Sequence, residues 1–153
     1  DGLRLMQIDN VVSKGVELSL QGQVTPRLNV IANYAYNEAT TPGDAGYDYN
    51  NPGWFPNAPN HNANAWATYR LPLGLKVGAG FNHLSKRSTF VPGFEVPGYT
   101  TADASLAYER RGFRANLTLN NLGNVRYWHG VYGPANAWPG NPRSFRLAVG
   151  YVL

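Results

Sequence analysis

The sequence predicts an all-β protein built as one antiparallel meander of seven strands, or eight if residues 3–9 pair separately. Three observations support this fold class. Apolar residues recur at every second position in seven segments, which is the period that sends one set of side chains to each face of a strand. Short turns and long loops alternate between the segments. Charged residues make up only 14% of the chain, which also has 17 Gly, 11 Pro and 10 Tyr, a composition that suits a β-protein with many turns.

The alternating pattern begins with Val16, Leu18 and Leu20, in a strand that can extend back to Val12 and, through Leu3, further still. Six further segments repeat it at 28–37, 63–71, 75–82, 100–108, 113–120 and 143–153. In the last of them the apolar set continues to Leu153, so we expect 143–153 to be the closing strand. Together these segments predict a single β-barrel domain over residues 1–153.

The connections between the predicted strands fall into two classes. Tight turns are expected at 25–27, 72–74 and 110–112, where Pro and Gly supply the required backbone conformations. Long loops rich in Pro, Gly, Asn and Asp are expected at 38–61, 85–97 and 123–141. Since each hairpin reverses the chain, all short turns lie at one end of the sheet and all long loops at the other.

The apolar set is expected to face outward, into lipid. The opposite set is too polar for the filled core of a soluble barrel; it comprises Glu17, Ser19, Gln21, Asn29, Asn33, Asn64, Arg70, Lys76, Asn82, Asp103, Arg114, Asn116, Asn120 and Arg146. Aromatic residues near the strand ends resemble the girdles of membrane interfaces; they are Tyr34, Tyr36, Tyr69, Tyr108, Phe113 and Tyr151. The pattern favours a transmembrane β-barrel segment of a bacterial outer membrane over a soluble β-barrel or sandwich.

Other classes of function find little support. The net charge of +4 comes from scattered basic residues, so no nucleic-acid partner is expected. There is no Cys, and His61, His83 and His129 lack metal-ligand spacing; Asp9, Asp44 and Asp48 lack the spacing of a calcium loop. Ser85 and Ser88 near His83 lack a nucleophile elbow. We therefore expect neither an enzyme nor a cofactor.

Five motifs occur in one order along the chain: Ser13-Lys14-Gly15-Val16-Glu17-Leu18, Ala65-Trp66-Ala67-Thr68-Tyr69-Arg70-Leu71, Pro97-Gly98-Tyr99-Thr100 with Asp103, Asn120-Asn121-Leu122 with Tyr127, and Gly140-Asn141-Pro142-Arg143. Together they resemble the C-terminal portion of TonB-dependent siderophore receptors, which import ferric chelates across the outer membrane. The last residue departs from that family, which usually ends in Phe.

The resemblance implies that these are the last seven strands of a 22-stranded barrel, with short turns in the periplasm and long loops outside the cell. The family's plug domain, through which TonB acts, has no counterpart in this sequence. The chain begins at Asp1 without an initiator Met or a signal peptide, so we expect a mature product or a piece of a longer chain. The expected partners are membrane lipid, a ferric siderophore, the remaining barrel and plug, and TonB.

An open sheet edge is not tolerated in lipid, because unpaired backbone groups are costly there. The chain is therefore expected to be a fragment of a larger barrel, to close as a small eight-stranded barrel, or to pair its edges between chains. A small self-standing barrel with a structural or adhesive role, and a soluble ligand-binding barrel, stay open as alternative functions at this point.

The resemblance makes the aromatic residues of the long loops candidates for ligand binding, because rings offer rigid contact surface. The candidates are Trp128, Tyr132, Trp138, His129, Tyr127, Trp54, Phe55, Phe90 and Phe94. On the polar face, Arg70, Lys76, Arg114 and Arg146 are expected to form a ladder of opposite charges with Glu17 and Asp103. Gly78 and Gly80 are expected to be ordinary strand glycines, bulges or places of close approach.

Overall fold

A computed structural model describes residues 11–40, 55–89, 91, 94–133 and 135–152. Its strands are β1 (Val12–Thr25), β2 (Leu28–Thr40), β3 (His61–Arg70), β4 (Leu75–Leu84), β5 (Arg87–Ser88), β6 (Glu95–Val96), β7 (Tyr99–Arg110), β8 (Phe113–Asn120), β9 (Trp128–Gly133), β10 (Asn136–Pro139) and β11 (Ser144–Tyr151). A single 3₁₀ turn, Pro72–Gly74, joins β3 to β4.

Seven strands form one antiparallel sheet in the order β1-β2-β3-β4-β7-β8-β11, which confirms the predicted meander. Within the described residues, β1 and β11 are the two edges of this open sheet. The possible extra strand at 3–9 lies outside the described residues. Two of the predicted loops contain short hairpins of their own, β5–β6 and β9–β10. The β5–β6 hairpin has only two residue pairs, and bulges interrupt the pairing of β9 with β10. Neither segment therefore has an alternating pattern long enough to predict a strand.

The short turns have the local chemistry that the sequence predicts. At the first, the Thr25 hydroxyl accepts hydrogen bonds from the backbone N–H of Arg27 at 3.3 Å and of Leu28 at 3.1 Å. At the third, Arg111 and Gly112 both have positive φ, 51° and 79°. Two successive residues with positive φ form the kind of two-residue hairpin turn whose backbone twist matches that of the flanking strands. Short and long connections therefore alternate between the two ends of the sheet.

The register keeps the apolar set on one face across the sheet. Tyr69 lies opposite Val77, Val77 opposite Leu106, Leu106 opposite Leu117, and Leu117 opposite Leu147. These side chains do not enclose a dry centre, since Leu147 is still 63% exposed. A contiguous exposed apolar face of this kind is what a lipid-facing barrel wall presents. The outward orientation is confirmed.

No helix among the described residues is long and apolar enough to cross a membrane.

The polar face is concave and carries amide contacts between neighbouring strands. The Asn33 side-chain amide donates a hydrogen bond to the Asn64 side-chain oxygen at 2.9 Å. The Trp66 ring lies against both Gly78 and Gly80 of β4. A Cβ added at either glycine would come within 2.6 Å of that ring. The two glycines therefore make room for an indole. No bulge interrupts β4 at either position, since its register runs unbroken.

The predicted ladder of opposite charges on this face is wrong. The register places Arg70 opposite Lys76, so like charges face each other there. Asp103 lies opposite Gly80 and accepts hydrogen bonds from the Asn82 side chain at 3.2 Å and the Asn121 N–H at 2.7 Å. Of the predicted members, Arg114 has an ion pair within the described residues, but its partner is Glu109 at 2.8 Å.

The most buried of the described residues lie at the long-loop end rather than in the wall. Thr89 is 0%, Val96 1% and Val131 5% exposed. The wall is one layer thick, so its side chains have neighbours only within the sheet. The loops fold back on one another and form a small packed layer, which positions the candidate site.

Candidate functional site

The loop between β8 and β11 is closed at its base by Asn121, which is 3% exposed. Its side-chain amide donates to the carbonyls of Val125 at 2.9 Å and Asn141 at 3.0 Å, and its oxygen accepts from the Val125 N–H at 2.8 Å. Asn121 has a φ of 50°, a left-handed conformation that Asn tolerates better than most residues. One buried side chain thus ties the two ends of the loop together.

Hairpin β9–β10 carries three exposed aromatic side chains, which we call the aromatic face: Trp128, Tyr132 and Trp138. Trp128 lies two positions before Gly130 and Tyr132 two positions after it. Trp138 pairs with Gly130 across the hairpin. The Trp138 ring covers that glycine, with Cε3 3.3 Å from where a Cβ would be. The three residues are 43%, 62% and 60% exposed. Three of the residues singled out in the sequence are therefore exposed together on one hairpin.

Two other candidates in this loop are placed differently. His129 follows Trp128 in β9, at a bulge where the pairing with β10 shifts register, and its backbone carbonyl accepts a hydrogen bond from Arg87. Tyr127 precedes the hairpin and stacks on Tyr99 at the start of β7, with ring centroids 4.2 Å apart and planes at 29°. Its ring also lies against Gly140. Tyr127 therefore packs the loop onto the wall.

A cleft of about 490 Å³ lies beside the aromatic face. Tyr127, Trp128, Pro139 and Pro142 supply its apolar lining, and Arg126 is its charged residue. An apolar lining with a single cation suits a flat group that carries negative charge. Its volume lies within the range of about 300–1,000 Å³ typical of small-molecule sites.

The remaining candidates lie in or beside the other two loops. Phe55 is half-buried, and its N–H donates to the Ala39 carbonyl at 2.8 Å. Phe94 is half-buried, and its carbonyl accepts from the Thr89 hydroxyl at 2.9 Å. Trp54 and Phe90 lie outside the described residues, as do Asp9, Asp44 and Asp48. Neither described Phe is part of the aromatic face.

Arg87 links two of the long loops and was not among the residues that the sequence singled out. It begins β5, is 6% exposed, and donates from Nη2 to the carbonyls of Trp128 at 3.1 Å and His129 at 3.2 Å. Burial lowers the pKa of its guanidinium from the ordinary value. In the sequence, Ser85-Lys86-Arg87-Ser88 has the appearance of a solvated polar loop, so nothing there marks one of its cations as buried.

The described residues contain no group of three or more acidic, His or Cys side chains that could hold a metal ion. The histidines on the wall have other partners. His61 Nδ1 shares a hydrogen bond with the Tyr34 hydroxyl at 2.8 Å, and His83 Nδ1 shares one with the Thr100 hydroxyl at 2.8 Å. Both lie on the outward face near the long-loop end, at the level expected for a membrane interface.

Comparison with known proteins identifies the wall. Residues 1–122 match the model of a family described as TonB dependent receptor-like, beta-barrel. The chain belongs to this family. The ferrioxamine receptor of Yersinia enterocolitica is 34% identical over 151 residues, which cover 92% of this chain and 21% of that receptor. This TonB-dependent receptor β-barrel segment is accordingly an outer-membrane protein of bacteria.

Two crystal structures agree closely in fold. The ferric-catecholate import receptor Fiu of Escherichia coli K12 superposes with a TM-score of 0.83 at 27% identity, covering 91% of this chain and 20% of Fiu. The siderophore receptor PiuA of Acinetobacter baumannii gives a TM-score of 0.81 at 29% identity, covering 92% of this chain and 22% of PiuA. The segment thus spans about a fifth of the length of these relatives. They are transport receptors rather than enzymes.

Proposed function

We propose that this chain forms the final part of the barrel wall, and the outward binding loops, of a TonB-dependent receptor that takes up ferric siderophores. The names of the relatives support this role, since they include a ferrioxamine receptor and a ferric-catecholate import receptor. The observation that carries the proposal is the aromatic face, which lies exposed at the long-loop end beside the 490 Å³ cleft.

The open edges of the sheet support a larger barrel. β1 and β11 have a neighbour on one side only within the described part of the chain. In lipid each unpaired backbone group on these edges costs several kcal/mol, so both must be paired in the membrane. We infer that residues 1–153 belong to one barrel domain whose other strands complete the wall around a plug. An eight-stranded barrel would have a lumen filled by side chains, which could not pass a chelate.

In this proposal the chain performs no covalent chemistry. Iron arrives enclosed in its chelator, so the loops recognise the chelate surface and need no metal ligands of their own. Energy for release comes from TonB acting on the plug, while the segment described here supplies wall and loops. Trp128, Tyr132 and Trp138 are the residues that we infer contact the chelate, with His129, Tyr127, Phe55, Phe94, Trp54 and Phe90 as supporting loop residues.

The expected contribution of each ring follows from its exposure. Covering a fully exposed aromatic side chain is worth about 1.5–3 kcal/mol. Tyr132 and Trp138 have about 60% of their surface left to cover, so each contributes about 1–2 kcal/mol when a ligand covers it. The expected loss on truncation to Ala is therefore about 5- to 30-fold in Kd.

The test measures binding of ferric siderophores to the full-length receptor in detergent, using a trihydroxamate and a tris-catecholate as probes. Trp128→Ala, Tyr132→Ala and Trp138→Ala are each expected to weaken the chelate that binds. Phe145→Ala is the matched control, because Phe145 is 76% exposed on the lipid-facing side of β11. Unaltered affinity in all three loop variants, or an equal loss in the control, would remove the aromatic face from the site.

A further inference from the structure

The loop layer contains one cation whose hydrogen bonding is incomplete. Arg87 is 94% buried, since 6% of it is exposed. Its Nη2 is held by the carbonyls of Trp128 and His129. Its Nη1 is buried as well and has no hydrogen-bond partner in the described part of the chain. A guanidinium stays protonated even when burial lowers its pKa, so a charged donor is left unpaired inside the loop layer.

Arg87 also lines a recess of about 190 Å³, which we call the Arg87 recess. The side chains around it include Phe55, Asn60, Lys86, Ser88 and Glu95. Two of the lining residues are cationic and one is anionic, so the recess has a net positive charge. Its volume is below the range of about 300–1,000 Å³ for a whole small-molecule site. It is therefore large enough for one functional group of a larger ligand.

We propose that Arg87 and its recess form an anion subsite that receives the negatively charged oxygens of a ferric catecholate. This inference rests on the proposed function. A planar guanidinium presents its donors in a fork that matches such groups. Because Nη2 is fixed by two main-chain carbonyls, the orientation of Nη1 is set before any ligand arrives. Binding an anion supplies the partner that this buried donor lacks.

The entrance to the subsite can open at low cost. Lys86 and Glu95 line the recess and pair with each other, Nζ lying 3.1 Å from each carboxylate oxygen. Their side chains are 70% and 40% exposed. Exposed pairs of this kind contribute little to stability, so a negatively charged catecholate can replace Glu95 beside Lys86. Glu95 is the group expected to compete with an incoming anion.

The same guanidinium joins this subsite to the aromatic face. Trp128 contributes its carbonyl to Arg87 and its ring to the aromatic face. The main chain of Trp128 therefore connects the loop that holds the Arg87 recess to the loop that carries the aromatic face. In this proposal the loop between β4 and β7 selects charge, and the loop between β8 and β11 supplies apolar contact.

The test uses the full-length receptor and two probes of defined charge. A ferric tris-catecholate has three negative charges, and a ferric tris-hydroxamate has none. Arg87→Gln is expected to weaken the tris-catecholate about tenfold or more and the neutral chelate less than about threefold. Arg87→Lys, which keeps the charge without the fork, is expected to fall between Gln and the wild type. Glu95→Gln is expected to strengthen the tris-catecholate.

The outcomes separate the two proposals. If the wild-type receptor binds neither chelate, the proposed function fails and the subsite with it. If the receptor binds the neutral chelate alone, or binds the tris-catecholate with the same affinity in Arg87→Gln, only the subsite is overturned. Equal weakening of both chelates also overturns it, since Arg87 is then a structural link between loops. Heat-modifiable migration on gels establishes that each variant is folded before binding is measured.

Discussion

Neighbouring residues of β8 offer a direct measurement of which face meets lipid. Leu117 lies in the middle of Phe113–Asn120, flanked across the ladder by Leu106 and Leu147. Asn116 lies at nearly the same depth on the other face, flanked by Ala107 and Ala148. Substituting each with Arg places the same side chain at the same height in the membrane, once on each side of the wall.

The expected difference is large because only one of the two positions is dehydrated. An Arg facing lipid at the bilayer midplane costs about 2–4 kcal/mol. Leu117→Arg is therefore expected to lower the folded-to-unfolded ratio roughly 30- to 700-fold. Asn116 borders a concavity of about 810 Å³ on the polar face, where the small alanines leave room for a longer chain. Asn116→Arg is expected to cost about 0.5 kcal/mol or less, since water screens the nearby Arg70 and Lys76.

The assay is urea unfolding of the full-length receptor folded into lipid bilayers, followed by the shift between unboiled and boiled bands on gels. The midpoint should fall markedly for Leu117→Arg and hardly at all for Asn116→Arg. Equal losses for the two variants, or a greater loss for Asn116→Arg, would refute the outward orientation. The uptake role would then lose its physical basis too, because the wall could not lie in a membrane.

Three other substitutions have defined expectations. Gly112→Ala should lower the free energy of unfolding by about 1–2 kcal/mol, because Gly112 has a φ of 79° and an added Cβ would lie 2.5 Å from a carbonyl oxygen; Gly22→Ala, with nothing within 4 Å, should leave the urea midpoint unchanged. Gly78→Val should displace the Trp66 indole and the Ser105 hydroxyl, the atoms nearest to an added Cβ, at a cost of about 1–3 kcal/mol, and shift the Trp66 fluorescence; an unshifted spectrum would contradict the contact. Asn121→Ala should expose residues 123–141 to protease while the wall keeps its midpoint, and an uncleaved loop would contradict the closing role.

The wall could be predicted from the sequence because two independent signals agree. Alternation fixes which residues share a face, but it leaves the registers between strands open. The short turns at 25–27, 72–74 and 110–112 then fix three of those registers, since a hairpin turn allows little slippage. The remaining pairings follow from keeping every apolar set on one face, as with Phe81 opposite Ala102.

The loop layer could not be predicted in the same way. Its hairpins contain as few as two residues per strand, which is too short for a period to appear. The burial of Arg87 depends on contacts with Trp128 and His129, more than 40 positions away in sequence. The predicted ladder of opposite charges failed for a different reason, because it grouped residues by face without using the register. The turn at 72–74 sets that register and brings Lys76 opposite Arg70.

The aromatic face could be predicted only in part. The sequence identified its three residues, but it did not show how they are arranged. Regular alternation would put Trp128 and Tyr132 on one side of a strand and His129 on the other, but bulges at Tyr132 and His129 interrupt it. Trp138 joins them only because β10 folds back on β9 with its ring over Gly130. An added Cβ at position 130 would lie 3.3 Å from the nearest indole carbon, so the ring would have to shift by a few tenths of an ångström. The glycine therefore permits the close approach of the Trp138 ring, and residues of this kind control the shape of the loop surface.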